Sequence, residues 1–215
     1  QLADIAEVYI NDAFACSHRA HASIAALTAI LPRYPGLLML EEITNLEASL
    51  SSSAKPIVAI VGGKKVSSKF PILNNLAKKV DAIAIGGAMA NTFLKAKGIE
   101  IYDSYHEADL IDEVKKFIST VNCEIILPTD VVCGYNNGGN FENPYVVGVN
   151  NIEERSAILD IGPESVDNIV QRIKNAKTLV WNGPVGMFED VRFAAATHTL
   201  ARSILRMTRS GKINS

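Results

Sequence analysis

The sequence has few of the features that mark secreted, membrane-spanning or nucleic-acid-binding proteins. Its 215 residues include only three cysteines, Cys16, Cys123 and Cys133, whose odd number and wide spacing provide neither a disulfide framework nor a zinc signature. This usage indicates a reducing, cytoplasmic compartment. No apolar run reaches the roughly 18 residues that a membrane span requires, so we expect no membrane partner.

The chain also lacks an excess of charge of one sign. Its net charge is −2, from 21 Lys and Arg against 23 Asp and Glu. A protein that binds nucleic acid through a general basic field needs a positive excess, so we expect no nucleic-acid partner. With 48% hydrophobic residues, the chain can bury the core of one large or two small domains.

Four short apolar runs rich in Ile and Val recur, each followed by turn residues and a helical pattern. Runs that are apolar on both faces are typical of strands buried in a parallel sheet. Their alternation with helices predicts βαβ units and a doubly wound α/β sheet. The predicted strands are residues 57–63, 82–88, 124–130 and 178–184, and the predicted helices are about 68–79, 89–97, 106–121, 164–175 and 192–209.

Two segments depart from this alternation. Residues 131–149 carry an Asn/Gly cluster between two apolar arms, which predicts a β-hairpin. Residues 35–56 contain a helical pattern with turn residues on both sides, which fits a helix between two lobes or a core helix of one domain. The apolar residues on one face of this helix are Met39, Ile43, Leu46 and Leu50.

The carboxyl ends of the predicted strands carry residues suited to a ligand, and ligands of open parallel sheets bind beyond these ends. Gly62-Gly63 and Gly86-Gly87 each follow a strand directly and would let a ligand approach the main chain. The other two ends present Pro128 with Asp130, and Asn182-Gly183-Pro184.

The run KKVSSKF after the first glycine pair predicts an anion site. Ser67 or Ser68 is a candidate N-cap, which would set unpaired helix N–H groups beside Lys64, Lys65 and Lys69. In such a helix Lys65 and Lys69 could reach one anion from the same side. The alternative is an ordinary strand–helix turn with solvated lysines. Neither the Walker A pattern nor G-x-G-x-x-G is present in the run.

A second unusual cluster, His18, Arg19 and His21, follows a predicted strand that ends at Asn11-Asp12. The planar guanidinium of Arg19 suits a carboxylate or a phosphate. The two histidines could share a metal, but no third ligand stands at a recognisable spacing, so we predict no metal site. These side chains could equally pair within a lobe in a structural role.

The chain resembles the phosphoglycerate kinase family in six segments that occur in order. They are YINDAFACSHRAHAS, VAIVGGKKVSSKFPIL, IAIGGAMANTFLKAKG, ILPTDVV, LDIGPES and VWNGPVGMFE. The resemblance implies an α/β fold of two Rossmann-like three-layer lobes with parallel sheets joined by a helix. Residues 1–34 would end the phosphoglycerate-binding N-terminal lobe, 35–53 would be the connecting hinge helix, and 54–215 would form most of the nucleotide-binding C-terminal lobe.

The resemblance also implies an activity, reversible phosphoryl transfer from 1,3-bisphosphoglycerate to ADP in glycolysis, giving 3-phosphoglycerate and ATP. The nucleotide would carry Mg²⁺, and the enzyme would be a cytoplasmic, hinge-bending monomer. The chain begins with Gln1 and stops where a new strand starts, so we expect an internal portion with the N-terminal lobe mostly absent. Family elements expected before and after it would be missing, so this segment alone should be inactive or nearly so.

Family roles carry over to matching positions of this sequence. Arg19 would bind the phosphoglycerate carboxyl or acyl-phosphate end, and Lys65 would follow the transferring phosphoryl group and neutralise its oxygens. Lys69 would bind nucleotide phosphates and Glu189 the ribose hydroxyls. The nucleotide would also contact Gly63, Gly86, Gly87, Ile158, Asn182 and Pro184.

The sequence departs from the family pattern at three positions. Ala88 replaces a usual third glycine, Ser68 stands where some members carry Asp, and Ile158 replaces a glycine beside the adenine. We expect the branched side chain of Ile158 to affect nucleotide fit.

Two other functions are compatible with the fold class. A non-catalytic nucleotide-binding module would not need Arg19, Lys65, Lys69 and Glu189 together. A dehydrogenase-type Rossmann domain would need the glycine fingerprint that the sequence lacks.

Overall fold

The computed structural model describes residues 2–51 and 54–215, and the chain divides into two compact units, Gln1–Ser53 and Ala54–Ser215. No helix in the described ranges is long and apolar enough to cross a membrane.

The first unit is a small parallel β-ribbon with helices. Strands β1 (Tyr9–Asn11) and β2 (Arg33–Pro35) pair in register from Tyr9 with Arg33 to Asn11 with Pro35. Its elements are β1 (Tyr9–Asn11), a π-helical turn (Ala22–Ala26) that continues into α1 (Leu27–Ile30), β2 (Arg33–Pro35) and α2 (Leu37–Ser51).

Helix α2 confirms the helical pattern predicted within residues 35–56, but its apolar face is packed only near its start. Met39 is 6% exposed, whereas Ile43 is 37% and Leu46 is 41% exposed. The side chain of Leu50 lies outside the described residues. Within the described part of this unit, α2 is therefore not a core helix, and its role as a connection between lobes stays a prediction.

The second unit is built on a parallel sheet of four strands. Their order is β5 (Glu124–Ile126), β4 (Ala82–Ile85), β3 (Ile57–Val61) and β9 (Thr178–Asn182). All five residues of β3 and all four of β4 are buried, as expected for central strands covered on both faces. The four predicted strands are confirmed, although each ends before its turn residues: β3 (Ile57–Val61), β4 (Ala82–Ile85), β5 (Glu124–Ile126) and β9 (Thr178–Asn182).

Helices cover both faces of this sheet. Val58, Ile60 and Leu179 pack in one core cluster with residues of two later helices, α6 (Pro163–Lys174) and α7 (Ala195–Arg209). On other helices, the Phe117 ring lies 5.5 Å from Phe70 and 6.2 Å from Phe93, centroid to centroid. The five predicted helices are confirmed as α3 (Val66–Leu76), α4 (Ala88–Ala96), α5 (Ile111–Thr120), α6 (Pro163–Lys174) and α7 (Ala195–Arg209).

A second, antiparallel sheet of three strands, in the order β7-β6-β8, accompanies the parallel one. The predicted hairpin is confirmed, and its two-residue turn is Gly138-Gly139, both with positive φ. The strands are β6 (Asp130–Asn137), β7 (Asn140–Gly148) and β8 (Ser156–Ile161).

Strand β8 was missed, so the predicted β-hairpin is in the structure part of a three-stranded sheet. Its apolar run is short and is interrupted by Asp160, and it pairs antiparallel with β6, from Val131 with Ile161 to Tyr135 with Ser156. A local pattern cannot show that pairing, because the partner strand precedes β8 by some twenty residues.

Helix α6 is held to β6 by a buried carboxylate. Asp130, 6% exposed, accepts the N–H of Glu164 at 3.0 Å and that of Ser165 at 2.7 Å, two orphan donors of the first helical turn. The Ser165 hydroxyl donates to the same carboxylate at 2.6 Å. A Cβ on Gly162 would overlap this carboxylate, so glycine leaves the room that the cap requires.

Replacing the cap should therefore destabilise the fold. We expect Asp130→Ala to lower the free energy of unfolding by at least about 2 kcal/mol, because it removes a helix cap and leaves buried donors unpaired. Urea denaturation measures the loss. The matched control is Asp167→Ala, an exposed aspartate on the same helix, expected within about 0.5 kcal/mol of wild type. Equal losses in both variants would contradict the role of the cap.

Candidate functional site

The loops after β3, β4 and β9 touch one another at the carboxyl ends of these strands. The N–H of Gly62 donates to the carbonyl of Asn182 at 2.9 Å, and the N–H of Gly87 donates to the carbonyl of Val185 at 2.7 Å. A Cβ on Gly62 would overlap the carbonyl of Pro184. A Cβ on Gly86 would lie 2.6 Å from the Cβ atom of Val185. The glycines are thus needed for the three loops to pack together.

Gly63 and Gly87 lie face to face. Gly87 is the N-cap of α4 with φ +68°, and a Cβ on it would lie 2.6 Å from the carbonyl oxygen of Gly63. That oxygen accepts the N–H of Met89 at 3.0 Å in the first turn of α4. The space next to the Gly63 Cα atom is open, since a Cβ added there would meet only the Lys69 side chain, at 3.8 Å. A ligand can approach the main chain at Gly63.

Helix α3 begins at Val66, two residues earlier than a Ser67 cap would place it. Its N-cap is Lys65, with φ −110° and ψ 125°, and the prediction of Ser67 or Ser68 at this position is wrong. The reason is a remote carboxylate. Glu107 accepts the backbone N–H of Ser67 at 3.0 Å and its hydroxyl at 2.6 Å, so this N–H is not unpaired beside the lysines as predicted.

The surroundings of Glu107 favour its charged form. Partial burial raises the pKa of the Glu107 carboxyl, but hydrogen bonds from the Ser67 side chain and from the backbone of Ser67 and Val66 oppose this effect, as does the charge of Lys65. The pKa therefore lies below its ordinary value. The carboxylate is a fixed negative charge at the start of α3.

The three lysines of this run have different neighbours. Lys69 donates a hydrogen bond to Asn182 Oδ1 and so joins α3 to the end of β9. Lys64 Nζ lies 5.0 Å from the centroid of the Tyr105 ring, a cation–π contact. Lys65 is exposed. The structure thus brings Lys69 to Asn182, whereas a shared anion between Lys65 and Lys69 stays a prediction.

Ile158 lines a small cavity with Gly87, Asn91 and Val185. The cavity volume is about 10 Å³, about the space of one water. Ile158 is 8% exposed, and its N–H donates to Ser104 Oγ at 2.9 Å. Asn91 Oδ1 is buried without a hydrogen-bond partner among the described residues. This space is too small for a nucleotide base, and the effect of Ile158 on nucleotide fit stays a prediction.

Pro184 and Glu189 belong to the loop that follows β9. Gly183 has φ +87° there, and its carbonyl accepts Trp181 Nε1 at 2.6 Å. The N–H of Met187 donates to the carbonyl of Leu159 at 2.7 Å, which ties this loop to β8. Glu189 is exposed in the following turn, and its role toward ribose stays a prediction.

A buried carboxylate beneath this loop escaped the sequence reasoning. Asp160 is 2% exposed and accepts the N–H of Ala196 at 3.0 Å, which caps α7, and that of Ile161 at 3.0 Å. A Cβ on Gly186 would overlap it. Burial raises the pKa of Asp160 to about 7, against the opposing effect of the two backbone hydrogen bonds. The one sequence feature that could have indicated this buried carboxylate is an Asp inside the apolar run of β8.

The His18–Arg19–His21 cluster belongs to the first unit, and all three side chains are exposed. The N–H of Arg19 donates to the carbonyl of Cys16 at 2.9 Å in a tight turn. Within residues 2–51 and 54–215, no group of three or more His, Cys, Asp or Glu side chains could hold a metal ion. The roles of Arg19 in binding and catalysis stay predictions.

Comparison with known proteins identifies the family. A family model described as phosphoglycerate kinase matches residues 1–214. The chain belongs to the phosphoglycerate kinase family. This confirms the resemblance inferred from the six segments, and members of the family are phosphotransferases.

Phosphoglycerate kinases of known sequence and structure match at substantial identity. The protein of that name from Granulibacter bethesdensis is 47% identical over 210 residues, covering 96% of this chain and 53% of the relative. That from a Caulobacter species is 43% identical over 216 residues, covering 99% and 54%. The chain therefore spans about half the length of the curated relatives it matches.

Solved structures of the family share the fold. The structure of phosphoglycerate kinase from Coxiella burnetii superimposes with a TM-score of 0.83 at 35% identity, covering 95% of this chain and 54% of that one. The enzyme from Pyrococcus horikoshii gives a TM-score of 0.80 at 25% identity, covering 94% and 52%. The predicted α/β class with a parallel sheet and helices is confirmed.

The raised pKa of Asp160 predicts a pH dependence of stability. From pH 4 to pH 7 the folded state keeps a proton on Asp160 that the unfolded state has released, so the free energy of unfolding falls as pH rises through this range. The shift from 3.8 to about 7 corresponds to about 4 kcal/mol.

Asp160→Asn should remove this contribution, so its free energy of unfolding should rise relative to that of wild type by about 2.5 kcal/mol between pH 5 and pH 8. The rest of the wild-type dependence falls below pH 5. Urea denaturation at pH 5 and at pH 8 measures the free energy of unfolding of each protein. The exposed-site variant Asp167→Asn is the control. An unchanged difference between wild type and Asp160→Asn at the two pH values would count against the buried charge.

Proposed function

We propose that this chain is part of a phosphoglycerate kinase that transfers a phosphoryl group reversibly from 1,3-bisphosphoglycerate to ADP, giving 3-phosphoglycerate and ATP. The reaction is a step of glycolysis. The observation that carries the proposal is the match of residues 1–214 to the family model. The meeting of three loops with exposed lysines at the carboxyl ends of parallel strands supports a phosphate site in the same place.

The nucleotide would bind at the loops after β3, β4 and β9. This placement is supported by the open main chain at Gly63, which lies beside the Lys69 side chain. Lys69 is held at this edge of the sheet by its hydrogen bond to Asn182. Lys69 would neutralise nucleotide phosphates. Gly86, Gly87, Ile158, Pro184 and Glu189 would complete this part of the site.

Lys65 would stabilise the transferring phosphoryl group. Phosphoryl transfer depends on positioning and charge neutralisation more than on covalent chemistry by the protein. Lys65 is exposed directly after Lys64 at the end of the first loop, and its backbone is the N-cap of α3. An ammonium at this point can follow charge that develops on the phosphoryl oxygens.

The remaining assignments belong to the same proposal. Arg19 would bind the phosphoglycerate carboxyl or acyl-phosphate end in a lobe that residues 1–34 complete, and residues 35–53 would form the hinge helix before the lobe of residues 54–215. The nucleotide would bring Mg²⁺ on its phosphates. We also propose a cytoplasmic monomer that works by hinge bending.

Lys65→Ala tests the transition-state role in the full gene product. We expect turnover to fall about a hundredfold or more, because a cation that acts mainly in the transition state is lost, while the dissociation constant for ADP changes less than about threefold. Steady-state kinetics and calorimetric ADP binding measure the two quantities.

The matched control is Lys78→Ala, another exposed lysine of this lobe, which should leave both quantities at the wild-type level. Equal losses of turnover and ADP affinity in Lys65→Ala would refute a transition-state role.

The 215 residues alone should turn over at most at trace level, because they span about half the length of their relatives. A coupled ATP assay on this chain, run beside the full gene product, measures the activity. Normal turnover by the 215 residues would show that the site needs nothing else.

A further inference from the structure

Residues 104–107 form a short connection before α5, called here the 104–107 segment, that is tied to two helices and a strand. Ser104 Oγ accepts the N–H of Ile158 on β8 at 2.9 Å. The carbonyl of Tyr105 accepts Asn91 Nδ2 on α4 at 3.0 Å. The N–H of Glu107 donates to Thr92 Oγ1, also on α4, at 3.1 Å. Both Asn91 and Thr92 are buried, so the backbone of Glu107 is anchored to the core.

The carboxylate of Glu107 extends from this anchor to a helix that begins 41 residues earlier in the chain. It accepts the N–H of Ser67 at 3.0 Å and the hydroxyl of Ser67 at 2.6 Å, with a further backbone contribution from Val66. These are donors of the first turn of α3, where a negative charge also interacts favourably with the helix dipole.

Lys65 directly precedes this capped turn. As the N-cap, its backbone has extended torsion angles, and its carbonyl accepts Ser68 Oγ at 3.0 Å. The direction of the Lys65 Cα–Cβ bond is therefore set by how the start of α3 is held. On the other side, Lys64 lies over the ring of Tyr105, which belongs to the same segment.

The occupied helix end has a second consequence. A free helix N-terminus attracts phosphate, but Glu107 takes the Ser67 N–H and places a negative charge there. A phosphate beside Lys65 would therefore meet a carboxylate at the start of α3 in place of a free Ser67 N–H group.

We propose that Glu107 is a positioning residue for Lys65, an inference that rests on the proposed function. It fixes the first turn of α3 so that the Lys65 ammonium reaches the transferring phosphoryl group, and it keeps phosphate off the end of α3. Glu107 acts through α3 and does not itself touch substrate.

Two substitutions in the full gene product test this role. Glu107→Ala should lower kcat about tenfold to a hundredfold, because a displaced Lys65 no longer meets the phosphoryl group. KM for the nucleotide should stay equal or fall, because the vacated helix end now attracts phosphate. Glu107→Gln keeps an acceptor for Ser67 and should keep kcat within about threefold of wild type.

Controls separate positioning from general stability. Glu113→Ala removes an exposed carboxylate from α5 and should leave kcat and KM unchanged. Thermal unfolding of each variant shows whether it is folded at the assay temperature. A wild-type kcat in folded Glu107→Ala, or equal losses in the Ala and Gln variants, would overturn the inference.

Further measurements keep the inference distinct from the proposed function. If wild type lacks kinase activity, the proposed function fails, and the arrangement is then judged by hydrogen exchange of the Ser67 amide and by the acetylation rate of Lys65, both read by mass spectrometry. Glu107→Ala should speed the exchange at least about tenfold and change the acetylation rate of Lys65 but not of Lys78. If Glu107→Ala does not fold, Ser67→Ala replaces it in the same two measurements, because this variant loses one hydrogen bond to Glu107. An unchanged acetylation rate of Lys65 would contradict the inference.

Discussion

The structure depends on carboxylates that cap helices from distant parts of the chain. Each lies in a loop or at a strand and accepts at least one N–H group from the first turn of a helix. The contact satisfies orphan donors and also fixes that helix against the element carrying the acid. The pairs are Asp12 with α2, Glu107 with α3, Asp130 with α6 and Asp160 with α7.

This arrangement decides where positive charge is available at the candidate site. The start of α3 is bound by Glu107, and the first turn of α4 donates to the carbonyl of Gly63. Lysine side chains, held by contacts such as that of Lys69 with Asn182, are therefore the main cations there.

Much of the fold follows from local patterns. Apolar runs on both faces predict β3 and β4, turn glycines predict the β6–β7 hairpin, and the helical pattern of residues 164–175 predicts α6 almost to the residue. Strand β8 was missed because its run is short and contains Asp160. The glycine loops of the candidate site were also predictable, yet their contact with Pro184 and Val185 required the strand order β4-β3-β9.

The sequence by itself determined the α/β class, the parallel strands, the hairpin and the family, because each depends on periodicity or on motifs that are contiguous in the chain. The tertiary structure alone decided that Glu107 caps α3 in place of a serine, that Asp160 is buried under Gly186, and that Lys69 contacts Asn182. Each of these contacts joins residues some 25 to more than 100 positions apart. Their partners are set by strand order and loop packing, which no local pattern contains.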